Sequence, residues 1–96
     1  MQRARRIADA AALEGLADAA ELKAAGAISI TGRMSFASSA TSYRLAASKL
    51  RSGYLRAHND ALLAAHRAHT KAVEAEIYEG KVRAAMDAER EAHEPL

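Results

Sequence analysis

Three stretches with different spacings of apolar residues follow one another along the chain. From about residue 4 to 25, alanines and a few larger apolar residues continue without a proline, and Gly26 is well placed to end a helix. The larger residues do not share one side of a helical wheel, whereas alanines fill two opposite sides. These larger residues are Ile7, Leu13, Leu16 and Leu22. The pattern predicts a first helix that neighbours cover on more than one side.

The second stretch, from about residue 26 to 41, alternates large apolar residues with polar ones. Its apolar positions are Ile28, Ile30, Met34 and Phe36. Because a period of two is typical of an extended chain with one apolar side, we predict an extended connector here. Two interpretations stay open: the connector lies over the helices with these four residues as anchors, or it adds as a strand to the sheet of a partner. In both cases its near lack of charge predicts a contact surface.

The third stretch is a long helical region from about residue 42 to 93. Serine and threonine near its start offer N-cap oxygens, and no proline follows before Pro95. Gly53 and Gly80 are the positions where this region could bend or end, so it could be one rod or could fold back at Gly53. We therefore expect an all-α fold in a single domain, residues 1–96, with two or three helices arranged as an elongated hairpin or rod.

Two apolar faces run along this third stretch. The first consists mostly of small residues spaced three and four apart, which is typical of close helix packing. It includes Leu50, Tyr54, Ala57, Ala61, Ala64 and Ala68. The second face is larger and contains Leu55, Leu62, His66, His69, Val73 and Ile77. Because one other helix cannot cover both faces, we predict that a second chain does so, with the small-residue face and the connector residues as the assembly interface. Ala61→Glu is then expected to dissociate the assembly.

Composition indicates a thin core. Half of the 96 residues are apolar, but the chain has one Phe, three Tyr and no Trp, and a chain of this length buries only about 60–65% of the surface that its unfolded form exposes. The absence of cysteine excludes disulfides and suits a reducing compartment, so we expect a cytoplasmic site of synthesis. No window approaches the roughly 20 apolar residues of a membrane span.

The net charge of +2 conceals a division along the chain. Residues 41–71 are mainly basic and the residues from 72 onward mainly acidic, so copies of the chain could pair through opposite charges. The basic segment also makes a small nucleic-acid-binding adaptor the alternative function. Its candidate contacts are Arg44, Lys49, Arg51, Arg56 and Arg67. This alternative is not favoured, because only Tyr43 and Tyr54 could stack on bases there.

Three histidines on or beside the larger face raise the question of chemistry. His66 and His69 are three residues apart and could both face one metal ion, but the further ligands that zinc or iron requires are not at matched positions. We expect these two and His58 to be buried or interfacial, or to form a pH-sensitive contact. No nucleophile elbow or phosphate-binding loop occurs. We predict no enzymatic activity, no cofactor and no metal.

The order of segments resembles one known family. An alanine-rich helix is followed by GAISITGRMSFASSATS and then by a long helix that opens with Tyr43. Over about residues 10 to 80 this pattern resembles the inner-core or ejection proteins of short-tailed bacteriophages. The resemblance implies a multi-copy virion component without a catalytic centre. Together with the apolar faces, it leads us to expect a structural subunit of a protein assembly that binds other copies of itself, other proteins, or both.

Overall fold

The computed structural model describes residues 3–93 as three α-helices joined by two short turns. Helix α1 spans Arg3–Gly26, α2 spans Ile30–Arg51 and α3 spans Leu55–His93. The molecule measures 69 × 18 × 15 Å. The predicted all-α, elongated fold is therefore confirmed. Helix α3 is long enough to extend past the loop that joins α1 to α2. Its C-terminal end therefore lies beyond the other two helices.

The predicted extended connector over residues 26–41 is wrong, because α2 begins at Ile30. Ser29 is its N-cap, with extended backbone angles of φ −106° and ψ 151°. The Ser29 hydroxyl oxygen accepts a hydrogen bond from the Gly32 N–H at 2.8 Å, which satisfies one of the unpaired donors at the helix start. The alternation of apolar residues thus reflects positions on a helix and not the two sides of a strand.

A carboxylate from α3 holds the turn between α1 and α2. One oxygen of Glu76 accepts the Ile28 N–H at 2.7 Å, and the other accepts the N–H and the hydroxyl of Ser29 at 2.9 and 2.7 Å. These hydrogen bonds, above all the one from the Ser29 hydroxyl, lower the pKa of Glu76. The start of α2 is therefore set by a residue far away in the sequence as well as by its own cap.

The chain folds back between α2 and α3 and does not continue as a rod. Gly53 has a φ of +81°, a backbone conformation that side chains with a Cβ rarely adopt. At the end of α2 the Ser52 N–H donates to the Ser48 carbonyl and the Gly53 N–H donates to the Leu50 carbonyl, both at 3.1 Å. Of the two positions where a break was predicted, the chain turns at Gly53, while α3 runs through Gly80 without interruption.

Helix α2 packs against both other helices, and small side chains fill the contacts. The central cluster joins Ala17 and Ala20 of α1 to Ala40 and Tyr43 of α2 and Ala65 of α3. Of the 14 buried apolar residues in the described part of the chain, 11 are alanines; the other three are Phe36, Tyr43 and Leu50. Alanine lets helices approach closely but buries little surface, so the core is thin, as its composition predicted.

Candidate assembly interfaces

One side of α2 faces away from both neighbouring helices. Ala47 contacts Ala10 of α1, while the Ser39 hydroxyl donates to the Ala65 carbonyl of α3 at 3.0 Å. The positions on the remaining side form what we call the α2 outer face. These positions are Ile30, Met34, Ala37, Ser38, Thr41, Leu45 and Ser48.

The α2 outer face is exposed and has no charged residue. Ile30 is 79% exposed, Met34 68% and Leu45 50%. The other four positions carry methyl groups or hydroxyls. The solvent-facing side of a helix normally carries charged and polar side chains. The α2 outer face instead combines three exposed large apolar side chains with small ones and no charge.

Ion pairs border this face on the side of α1. Arg44 donates to Asp18 at 2.9 Å and also to Glu21, and Arg51 donates to Glu14 at 2.8 Å. The hydrogen bonds with these carboxylates raise the pKa of each arginine, and Arg51 lowers the pKa of Glu14. The arginines thus join α1 to α2, and their guanidinium groups are already occupied within the chain.

A groove lies between α1 and α3, with α2 as its floor. It encloses about 400 Å³, within the range of ligand-binding clefts. We call it the α1–α3 groove; its lining is Asp9, Ala12, Leu13, Leu16, Leu50, Leu55, His58, Asn59 and Leu62. The larger apolar face predicted on the third stretch supplies part of the α3 wall through Leu55 and Leu62. Because α1 does not fully cover the α3 wall, the apolar side chains of that wall remain accessible to solvent.

The three histidines make contacts between helices. His58 Nδ1 lies 2.9 Å from the Ala46 carbonyl oxygen, which can only accept. Nδ1 therefore carries the hydrogen in the neutral ring, and Nε2 is an acceptor on a residue that lines the groove. His66 Nδ1 lies 3.1 Å from the Tyr43 hydroxyl. These contacts account for both residues as parts of the bundle.

His69 of α3 lies close to α1, near the turn that joins α1 to α2. Its Nε2 is 3.4 Å from Lys23 Nζ of α1, and its ring packs edge-on against Phe36 of α2. Partial burial lowers the pKa of His69, and the charges of Lys23 and His66 lower it further. Within residues 3–93, no three histidine or carboxylate side chains come together in a way that could hold a metal ion.

The structure divides the predicted interface residues into two groups. Ile28, Ile30, Met34 and Tyr54 are exposed, and Ala64 is exposed as well. Phe36, Leu50 and Ala61 are buried, and Ala57 and Ala68 are half-buried. The buried members pack inside the chain's own bundle, whereas Tyr54 and Ala64 of the small-residue face remain accessible. Ala61→Glu would therefore place a carboxylate in the packed bundle and is expected to destabilise the chain itself.

The five basic residues proposed for nucleic acid do not gather on one surface. Arg44 and Arg51 pair with α1, and Lys49 lies 5.7 Å from the ring centre of Tyr54. Arg56 and Arg67 are on the exposed part of α3. The arrangement lacks the continuous basic stripe that tracks a phosphate backbone.

No protein-family model, curated protein or solved structure matches this chain. The two candidate surfaces, the α2 outer face and the α1–α3 groove, therefore rest on geometry and chemistry. The sequence pattern indicated contact residues at Ile28, Ile30 and Met34 but gave no reason to choose Leu45 or Leu16. Of the helices between residues 3 and 93, none has a stretch apolar enough to cross a bilayer.

Proposed function

We propose that this protein is a non-enzymatic structural subunit that assembles with other copies of itself, and that the α2 outer face is a contact surface in that assembly. The observation that carries this proposal is the exposure of Ile30, Met34 and Leu45 on a helix face without charge. Three large apolar side chains on one helix face are a patch and not scattered single residues.

Covering these three side chains contributes favourably to the free energy of association. Full burial of an aliphatic side chain of this size contributes about 1.5–3 kcal/mol. Ile30, Met34 and Leu45 are 79%, 68% and 50% exposed, so covering what remains exposed contributes about 1–2 kcal/mol each. The three together contribute about 3–6 kcal/mol, which is comparable with the lower end of the roughly 4–15 kcal/mol that association costs in translational and rotational freedom.

A second copy is a suitable partner because it offers a surface of the same kind. A charged partner surface would lose its hydration against the α2 outer face without gaining an opposite charge. Each copy presents large apolar residues without charge, so contact between copies leaves no buried ion unpaired. The sequence resemblance to phage inner-core proteins is the sole support for a virion as the setting of this assembly.

The test is the mass of the purified chain in solution. We expect wild-type protein to form species above the monomer by light scattering coupled to size exclusion, and Met34→Glu to reduce that mass. Leu22→Glu is the matched control, because Leu22 is 77% exposed on α1 and lies between Glu21 and Lys23. It makes the same chemical change on a surface that already carries charge, so the mass should not fall.

Circular dichroism of each variant shows whether the helices are retained, since loss of helix content would lower the mass for another reason. A wild-type protein that stays monomeric at high concentration would contradict the proposal. So would a folded Met34→Glu variant with the wild-type mass.

A further inference from the structure

We propose that two copies of the chain pair through their α2 outer faces in antiparallel orientation, as a closed two-fold dimer in which Arg33 of each copy contacts Asp18 of the other. This inference rests on the proposed function and deepens it, because it names the orientation, the register and a charged contact of the pair. A surface that binds its own copy about a two-fold axis must be complementary to itself. The α2 outer face meets this condition in the sizes of its side chains and in the charges along one border.

Side-chain size along the α2 outer face is nearly symmetric about the centre of the face. Large residues lie toward both ends, with Ile30 and Met34 in the first half and Leu45 in the second. The positions between them are Ala37, Ser38 and Thr41. Because the distance between two packed helices depends on the side chains at their contact, these small residues allow close approach where two such faces cross.

Antiparallel orientation lets the two faces overlap along their whole length. The face runs from Ile30 to Ser48, so in full overlap Ile30 of one copy lies opposite Ser48 of the other. Contact then extends over about 27 Å at 1.5 Å per residue, and Met34 lies within one residue of the position opposite Leu45. A shift by one helical turn in either direction would carry Ile30 or Leu45 past the end of the other face. The overlap therefore favours one register.

The border of the α2 outer face next to α1 carries opposite excess charges at two places. Arg44 is paired with two carboxylates, those of Asp18 and Glu21, so this group of one cation and two anions has a net charge of −1. Arg33 is exposed, and its guanidinium has one hydrogen-bond partner within residues 3–93, the Ala27 carbonyl oxygen at 3.4 Å. The start of this border is therefore positive and its second half is negative.

The antiparallel register brings these two places together. Arg33 and Arg44 lie on the same side of α2, because eleven residues make about three turns. A two-fold axis that runs between the two α2 helices, perpendicular to both, places the same border of each copy side by side. Arg33 then lies within two residues of the position opposite Arg44, next to Asp18, whose side chain is 74% exposed. The symmetry forms this contact twice in each pair.

A parallel pair would lose the charged contact. Asp18 lies at the level of Arg44 along the bundle, so Arg33 of one copy and Asp18 of the other would be separated by the rise of eleven residues. This rise is about 16 Å, which is beyond the reach of an ion pair. The dipoles of the two α2 helices would also point the same way, whereas they oppose each other in an antiparallel pair.

Disulfide cross-linking tests the orientation, because the chain has no cysteine of its own. We expect Ile30→Cys mixed with Ser48→Cys to form a cross-linked pair under mild oxidation, as seen by denaturing electrophoresis without reductant. Either variant alone should cross-link far more slowly. In the antiparallel pair the two copies of residue 48 are about 27 Å apart along the helices, whereas a disulfide needs Cα atoms within about 7 Å. In a parallel pair each variant would cross-link with itself.

A charge exchange tests the contact of Arg33 with Asp18, with the dissociation constant measured by sedimentation equilibrium. Arg33→Glu and Asp18→Lys should each raise Kd about tenfold, because each brings like charges together twice in the pair. The double variant exchanges the two charges and should recover most of the wild-type affinity. Arg67→Glu is the matched control: Arg67 is exposed, and it lies about 200° around α3 from Ala65, which packs on α2. Its Kd should equal that of the wild type.

Circular dichroism checks that each variant keeps its helices. Three results would overturn the inference and leave the proposed function in place: a wild-type assembly larger than twice the monomer mass, rapid cross-linking of each cysteine variant with itself, or a folded double variant that binds no better than the two single ones. A monomeric wild type would remove the inference and the proposed function together.

Discussion

Replacing three glycines with alanine, one at a time, tests where α2 begins and what holds its start. Gly15 in α1 and Gly80 in α3 have open space around the position that a Cβ would occupy. At Gly32, an added Cβ would lie 2.6 Å from an oxygen of Glu76 and 2.6 Å from the Ser29 hydroxyl oxygen. The same substitution therefore removes a helix-weakening residue at two sites and creates a clash at the third.

The expected changes in the free energy of unfolding have opposite signs. Alanine is about 1 kcal/mol more favourable than glycine inside a helix, so Gly15→Ala and Gly80→Ala should each stabilise the protein by about 0.5–1 kcal/mol. At Gly32 the Ser29 side chain must move, which breaks the cap bond of 2.8 Å. Loss of such a cap costs about 0.5–2 kcal/mol. Because Glu76 must also move, we expect Gly32→Ala to be about 1 kcal/mol less stable than wild type.

Urea unfolding followed by circular dichroism, at one fixed protein concentration, measures these differences. For a chain of this size 1 kcal/mol corresponds to about 4–8 °C in the thermal midpoint, so a thermal scan can support the result. A second substitution, Glu76→Ala, removes the clashing carboxylate. In a chain that carries Glu76→Ala, the further change Gly32→Ala should therefore lower the free energy of unfolding by less than it does in the wild type. The proposed start of α2 would be refuted if Gly32→Ala stabilised the protein as Gly15→Ala does, or if its cost did not depend on Glu76.

Three further predictions concern single contacts. Gly53→Ala should destabilise the protein by about 1–2 kcal/mol in urea unfolding, because its φ of +81° disfavours a Cβ, which would also lie 3.0 Å from Arg6 Nη1; an unchanged midpoint would contradict this turn. Ser39→Ala should lower the free energy of unfolding by about 1 kcal/mol, because it removes the buried hydrogen bond to the Ala65 carbonyl; Ser42→Ala, the same change on α2 outside the α2 outer face, is its control. Because the pKa of His69 is lowered in the folded chain, the unfolded chain binds a proton at this residue more readily. The free energy of unfolding should therefore fall as the pH drops through the usual value of 6.5, and it should level off below the folded-state pKa. His69→Gln should flatten this part of the pH profile, and an unchanged slope would show that other groups cause it.

The fold was predictable where local signals decide it. The predicted first helix, about residues 4 to 25, agrees closely with Arg3–Gly26, because nothing within it breaks a helix. The start of α2 depends instead on Glu76, which lies 47 residues beyond Ser29 in the sequence. Four apolar residues in alternation fit a strand, but Ile30 and Met34 are also four apart and share a helix face. A local pattern of this length cannot decide between the two.

The candidate surfaces were only partly predictable for a similar reason. Ile30 and Met34 were expected to be in contact with a partner because their segment lacks charge, and both are exposed. The side of α2 that stays uncovered depends on where α1 and α3 pack, so Leu45 could not be singled out. The spacing of the small-residue face predicted close packing between chains. Leu50 and Ala61 are buried within one chain, because the turn at Gly53 brings α3 back along α2, while Tyr54 and Ala64 remain exposed.

The thin core and the apolar surfaces have one physical cause. Eleven of the 14 buried apolar residues are alanines, whereas 14 large apolar residues are exposed in the described part of the chain. Close packing through alanine leaves little space for leucine or isoleucine between the helices, so most of these side chains lie on the α2 outer face, in the groove and on other surfaces. In the proposed assembly, contact on the α2 outer face adds apolar burial to that of the core of a single copy. Assembly and folding would then be linked, since a partner that binds only the folded chain stabilises it.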